Sequence, residues 1–222
     1  MTKQEILAKM LIKPKELELK DGVFKKDATA PISTNIDKDF SYLLSLAGFT
    51  TAAKTTWFDL DNTYIITIGD VDAIPEIPDF FDDEEYFMDI TADSIVIASS
   101  TVGGALLGLK AYIRMESELE VMPQMTISDY PNIPFRAVHT CVFRPDDGTE
   151  KEESHPDYIK KMMKTAAISG YNHIFIEFWG MFPYSLDYAH WPTAYTKAEI
   201  ACVLLNGIGI ICNVALLIFC KC

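Results

Sequence analysis

The chain has 222 residues, of which 49% are apolar, 23% charged and 12% aromatic, enough for one substantial core or two modest ones and too apolar for a disordered chain. Its net charge of −13, with no basic cluster to offset it, argues against a nucleic-acid partner, since an acidic surface repels phosphate backbones. Five cysteines, four of them between Cys202 and Cys222, fit neither a zinc spacing nor a secreted disulfide framework, so reduced thiols are expected.

The N-terminus runs directly into a charged, helix-like stretch without the apolar core of a signal peptide, and no Asn-x-Ser/Thr acceptor follows. These features read as a cytoplasmic, soluble protein. Lys13 to Val23, with alternating Leu17 and Leu19 and an Asp21-Gly22 turn signal, predicts a short strand and hairpin. Asp37 is placed to cap a helix over Lys38 to Leu46, stopped by Gly48. Tyr64 to Ile68 is a β-branched run expected as a buried strand. Ile74 to Glu85, with two prolines and six acids, is expected to be an exposed loop.

Tyr86 to Thr91 and Ser94 to Ser99 alternate around Ala92-Asp93 and predict a β-hairpin. Thr101 then opens an apolar helix to about Glu116, whose Gly103, Gly104 and Gly108 permit close packing on a sheet. Their spacing matches neither a dinucleotide-binding turn nor a phosphate loop. Val121 to Pro134, with three prolines, reads as a linker, placing a domain boundary near Gln124. Beyond it the rhythm alternates: strand Phe135 to Phe143, helix Pro156 to Ser169, nearly all-apolar strand His173 to Trp179, helix Lys197 to Leu205. Alternating strands and helices imply a parallel sheet, open or closed.

Several segments taken together resemble a known family. Leu11 to Leu19 resembles the start of the N-terminal domain of bacterial β-N-acetylhexosaminidases. Glu85 to Thr91, Ser94 to Ala98 and Gly104 to Leu109 resemble that domain's closing hairpin and helix. Ile127-Ser128-Asp129-Tyr130-Pro131 with Pro134-Phe135-Arg136 is similar to the start of the glycoside hydrolase family 20 barrel. The resemblance implies an α/β architecture: an α+β domain over 1–124, then an incomplete (β/α)8 TIM barrel over 125–222. It also implies exo-hydrolysis of terminal N-acetylhexosamine from glycans, without cofactor or metal. In that family the substrate's own acetamido carbonyl attacks the anomeric carbon, an Asp orients it, and the next residue, a Glu, protonates the leaving oxygen.

Carried over residue by residue, the resemblance implies that Arg144, eight positions after Arg136, binds ring hydroxyls at the C-terminal mouth of the first barrel strand. The plainer alternative pairs Arg144 with Asp146 or Asp147. Glu177, a carboxylate in an apolar strand, needs a partner or a polar cavity, and with Trp179 it is a candidate substrate contact. The plainer reading of Trp179 is barrel packing. Ala137 and Cys141 depart from the family's glycine and aspartate. His139 reads as a core histidine and His155 as a helix-start residue, while His173 and His190 lack partners at metal spacing.

No catalytic residue is assigned. The single adjacent Asp-Glu, Asp83-Glu84, sits in the acidic loop and reads as a solvated charge run, not as the family's His-x-Gly-Gly-Asp-Glu. The 97 residues from Thr126 onward fall short of the roughly 250 of a full barrel, which implies a truncated chain with exposed sheet edges suited to self-association. The uncharged stretch Ile200 to Cys220 is expected to hold a barrel helix and a third strand at Ile208 to Ile211. Membrane attachment through it is the lesser alternative. The other function class left open is a non-catalytic carbohydrate- or partner-binding fragment.

Overall fold

The computed structural model describes residues 2–58, 60, 62–71, 73–142, 155–179, 181–183, 194–201 and 213–219. The chain divides into two compact units, Met1–Pro134 and Phe135–Cys222.

The first unit is built on a seven-stranded sheet in the order β1-β7-β5-β6-β4-β2-β3. The strands are β1 (Glu16–Val23), β2 (Ile32–Thr34), β3 (Lys54–Thr55), β4 (Tyr64–Ile68), β5 (Tyr86–Ile90), β6 (Ile95–Ser99) and β7 (Pro123–Asp129). Its helices are α1 (Lys3–Lys9), α2 (Ser41–Leu46) and α3 (Val102–Glu118). The β5–β6 hairpin forms as expected, and every residue of both strands is buried. Its flank β7 pairs antiparallel with β5 on one side and β1 on the other.

Helix α3 packs across β4, β5 and β6. Thr101 caps it by accepting the Gly104 N–H at 3.0 Å. Two glycines set how close it lies. A Cβ on Gly104 would meet the Ser99 hydroxyl and stand 2.7 Å from the Glu85 carbonyl oxygen. One on Gly108 would stand 2.6 Å from Ile97 Cγ2.

Three local expectations are corrected. Asp21-Gly22 does not turn a hairpin: β1 runs through it with a register irregularity between Leu19 and Val23 and pairs with the distant β7. The linker reading of Val121 to Pro134 fails for the same reason, because β7 supplies the partner that β1 and β5 both need, and the unit boundary falls after Pro134. Asp37 does not cap α2. Asp39 accepts the Ser41 N–H at 2.9 Å, and the helix starts three residues later than expected.

The second unit holds β8 (Ala137–Val142), α4 (Pro156–Ile168), β9 (His173–Trp179) and β10 (Asn213–Phe219), with residues 197–201 helical. The three strands form a parallel sheet in the order β10-β9-β8, so consecutive strands are neighbours. His155 caps α4 through Nδ1, which accepts the Asp157 N–H at 3.2 Å, and Gly170 stops it at φ +87°. Arg136 ties the start of β8 to the turn before β9. Its N–H donates to Asn172 Oδ1 at 3.0 Å and its Nε–H to the Gly170 carbonyl at 2.7 Å.

Among the described residues the third strand of this sheet is Asn213–Phe219; the strand expected at Ile208 to Ile211 lies outside the described residues. Strand β10 occupies part of the stretch weighed as a membrane span. Among the described residues, no helix is long and apolar enough to cross a membrane.

Candidate functional site

Strand β9 has two chemically different faces. Ile174, Ile176 and Phe178 are fully buried, and the Phe178 ring packs against Phe182 and Tyr195 at centroid distances of 6.0 and 5.9 Å. His173, Phe175 and Glu177 alternate with them and are only partly buried.

Strand β8 lies alongside in parallel, with Cys141 the register partner of Glu177 and His139 that of Phe175. Spaced two apart, His139 and Cys141 reach the same face. His139 Nε2 lies 3.0 Å from Glu177 Oε2, and the Cys141 thiol donates to that same oxygen at 3.1 Å. The Glu177 side chain is 13% exposed and that of His139 53% exposed, so the carboxylate is sheltered while the imidazole reaches solvent. One thiol donor and a close imidazole thus partner a carboxylate largely withdrawn from water.

The other end of this face is aromatic. The Phe135 ring, half exposed, stands 4.4 Å from the His173 ring and 6.0 Å from Phe175. His173 Nδ1 is 2.7 Å from Asn172 Oδ1. The face therefore changes from mainly aromatic at the strand starts to carboxylate, imidazole and thiol farther along.

Of the sequence-predicted site residues, Glu177 lies on this face. Trp179 is the last residue of β9, register partner of Phe219 in β10. Arg144 lies outside the described residues. His139 is not a core histidine but a partner of Glu177, and Cys141 is the other. Their spacing of two on one strand was a visible signal. What hid their role was the register that sets them beside Glu177, which depends on a strand some 35 residues away.

Asp83-Glu84 is part of a structured turn. Asp82 Oδ1 accepts the Glu84 N–H at 2.9 Å, and the Asp83 carbonyl accepts the Thr101 hydroxyl. The neighbouring Glu85, expected among the solvated charges, is buried and accepts the Phe81 N–H at 2.8 Å. These acids hold the loop onto the start of α3. Among the described residues, no group of three His, Cys, Asp or Glu side chains has the geometry to hold a metal ion.

The first unit has its own cleft, of about 510 Å³, against the sheet face where Glu16 and Glu18 of β1 meet Thr126 and Ser128 of β7. Glu76 and Asp79 complete its acidic rim. It contains none of the predicted site residues.

The fold is similar to part of that of several solved glycoside hydrolases. The chitobiase of Flavobacterium johnsoniae superposes with a TM-score of 0.60 at 16% identity, over 94% of this chain and 34% of that one. The family 20 β-N-acetylhexosaminidase of Streptomyces coelicolor A3(2) does so at 0.60 and 14% identity, over 96% of this chain and 46% of its own. CpGH84D follows at 0.55 and 14%, over 89% and 35%. The chain thus spans between a third and a half of the length of these proteins. No family model matches it, and no curated protein matches by sequence.

Proposed function

We propose that this chain serves a β-N-acetylhexosaminidase-like glycoside hydrolase, acting on terminal N-acetylhexosamine of glycans by a substrate-assisted, retaining route. The observation that carries this reading is Glu177, sheltered and partnered by Cys141 and His139 on a parallel sheet whose described strands follow one another in order, as in the opening of a (β/α)8 barrel. Likeness in fold to the F. johnsoniae chitobiase and the S. coelicolor hexosaminidase supports it.

The proposed sugar contacts are Arg144, Glu177 and Trp179. The Arg144 guanidinium suits vicinal hydroxyls, the Glu177 carboxylate accepts from a hydroxyl, and the Trp179 indole offers a stacking surface. No residue of the sequence is assigned the role of the acid or of the acetamido-orienting carboxylate. Its single Asp-Glu step, Asp83-Glu84, is committed to the turn before α3. The chain's part is therefore to bind and orient the sugar.

An aryl N-acetyl-β-glucosaminide tests this division of labour. The chain alone is expected to release no aryl alcohol above the rate in buffer. Hydrolysis that disappears in Arg144→Ala would show that the chain holds a complete catalytic set, and would overturn this reading.

A further inference from the structure

Three polar side chains converge on the partly open face of the β8–β9 pair, and only one of them has so far been given a part. His139 and Cys141 both engage Glu177 through Oε2. Both contacts fall on one carboxylate oxygen, and a carboxylate has a second oxygen, Oε1, with acceptor capacity of its own. His139 is half exposed and Cys141 is exposed, so a ligand that reaches Glu177 also meets the imidazole and the thiol.

We propose that His139, Cys141 and Glu177 form a single hydroxyl-binding subsite on the inner face of the β8–β9 pair, with Cys141 touching the sugar and tuning its affinity. This rests on the reading of the chain as a hexosamine-binding part of a glycoside hydrolase. Glu177 Oε1 accepts one ring hydroxyl, and His139 offers its Nδ1 to a second. Cys141, the register partner of Glu177, is the side chain best placed to set the carboxylate's orientation. A serine there keeps a donor of similar reach, whereas an alanine removes it. An aspartate would oppose two carboxylates across one strand pair, a repulsive arrangement.

N-acetylglucosamine is the probe, titrated calorimetrically against the wild-type chain and its Cys141→Ser, Cys141→Ala and Cys141→Asp variants. Melting temperatures confirm that each variant is folded. Saturable binding is expected for wild type, with Cys141→Ser within about twofold of it. Cys141→Ala should be weaker by about threefold to tenfold, as for one lost hydrogen bond, and Cys141→Asp weaker still.

Alkylation by iodoacetamide supplies a readout that a merely structural thiol would not move. Read by peptide mass spectrometry to separate Cys141 from the other four cysteines, its rate should fall at saturating N-acetylglucosamine. If sugar binds but neither the alkylation rate of Cys141 nor the affinity of Cys141→Ala changes, the subsite is wrong and the hexosamine-binding reading stands. If wild type shows no saturable binding, that reading itself falls and takes the subsite with it.

Discussion

Asp129 is the carboxylate of the first unit whose environment works against its charge. Burial pushes its carboxyl above the usual carboxylate range, only partly opposed by the Lys15 and Tyr130 N–H groups and the Tyr86 hydroxyl. Tyr86 donates to its Oδ2 at 3.3 Å, and burial raises the Tyr86 phenol, which stays protonated at any working pH. The folded state therefore holds the Asp129 proton more tightly than the unfolded chain does. Its contribution to stability is complete below the ordinary carboxylate range and is lost as pH rises through the raised value. Asp129→Asn removes that titration. In urea unfolding between pH 4 and pH 7, wild type is expected to lose stability relative to the variant as pH rises; a constant difference would contradict the assignment. The sequence marked Asp129 only as part of a motif, because its burial depends on Tyr86 and Lys15, neither adjacent in the chain. Glu177 was more legible, since a carboxylate inside Phe175 to Trp179 needs donors wherever the strand lies. Which donors they are was set by register.

Elements with a strong local pattern were readable in advance, and those defined by a distant partner were not. The β5–β6 hairpin, α3 and α4 each carry their own turn, cap or stop. The β1–β7 pair joins residues more than a hundred positions apart, and the prolines of 123–134 disguised β7 as a linker. Pro123 sits at the first position of β7, where a missing N–H is least costly. The packing of α3 gives a test at this scale. Gly108→Ala gains about 1 kcal/mol of helix propensity. Its new methyl, however, would stand 2.6 Å from Ile97 Cγ2 and 3.0 Å from the Tyr86 ring, and overpacking of this kind costs about 1–3 kcal/mol. A net loss of up to about 2 kcal/mol in urea unfolding is expected. Equal or greater stability would mean that helix and sheet are further apart than described.

For the whole molecule, the order of elements carried the reading. A sheet domain closed by a hairpin and helix, then consecutive parallel strands linked by a helix, was visible from residue types and agrees with the neighbours' fold. Strand β10 at Asn213–Phe219 was not foreseen, because the uncharged run from Ile200 to Cys220 has no periodicity that separates helix from strand. At this scale the proposed sugar contacts are what remains to be tested. The most direct measurement is a calorimetric titration of N-acetylglucosamine into wild type and into the Glu177→Gln and Arg144→Ala variants. Saturable binding is predicted for wild type, with each substitution weakening it by about tenfold or more, as for a lost hydrogen bond to a charged group. Binding that is absent, or indifferent to both substitutions, would contradict the account.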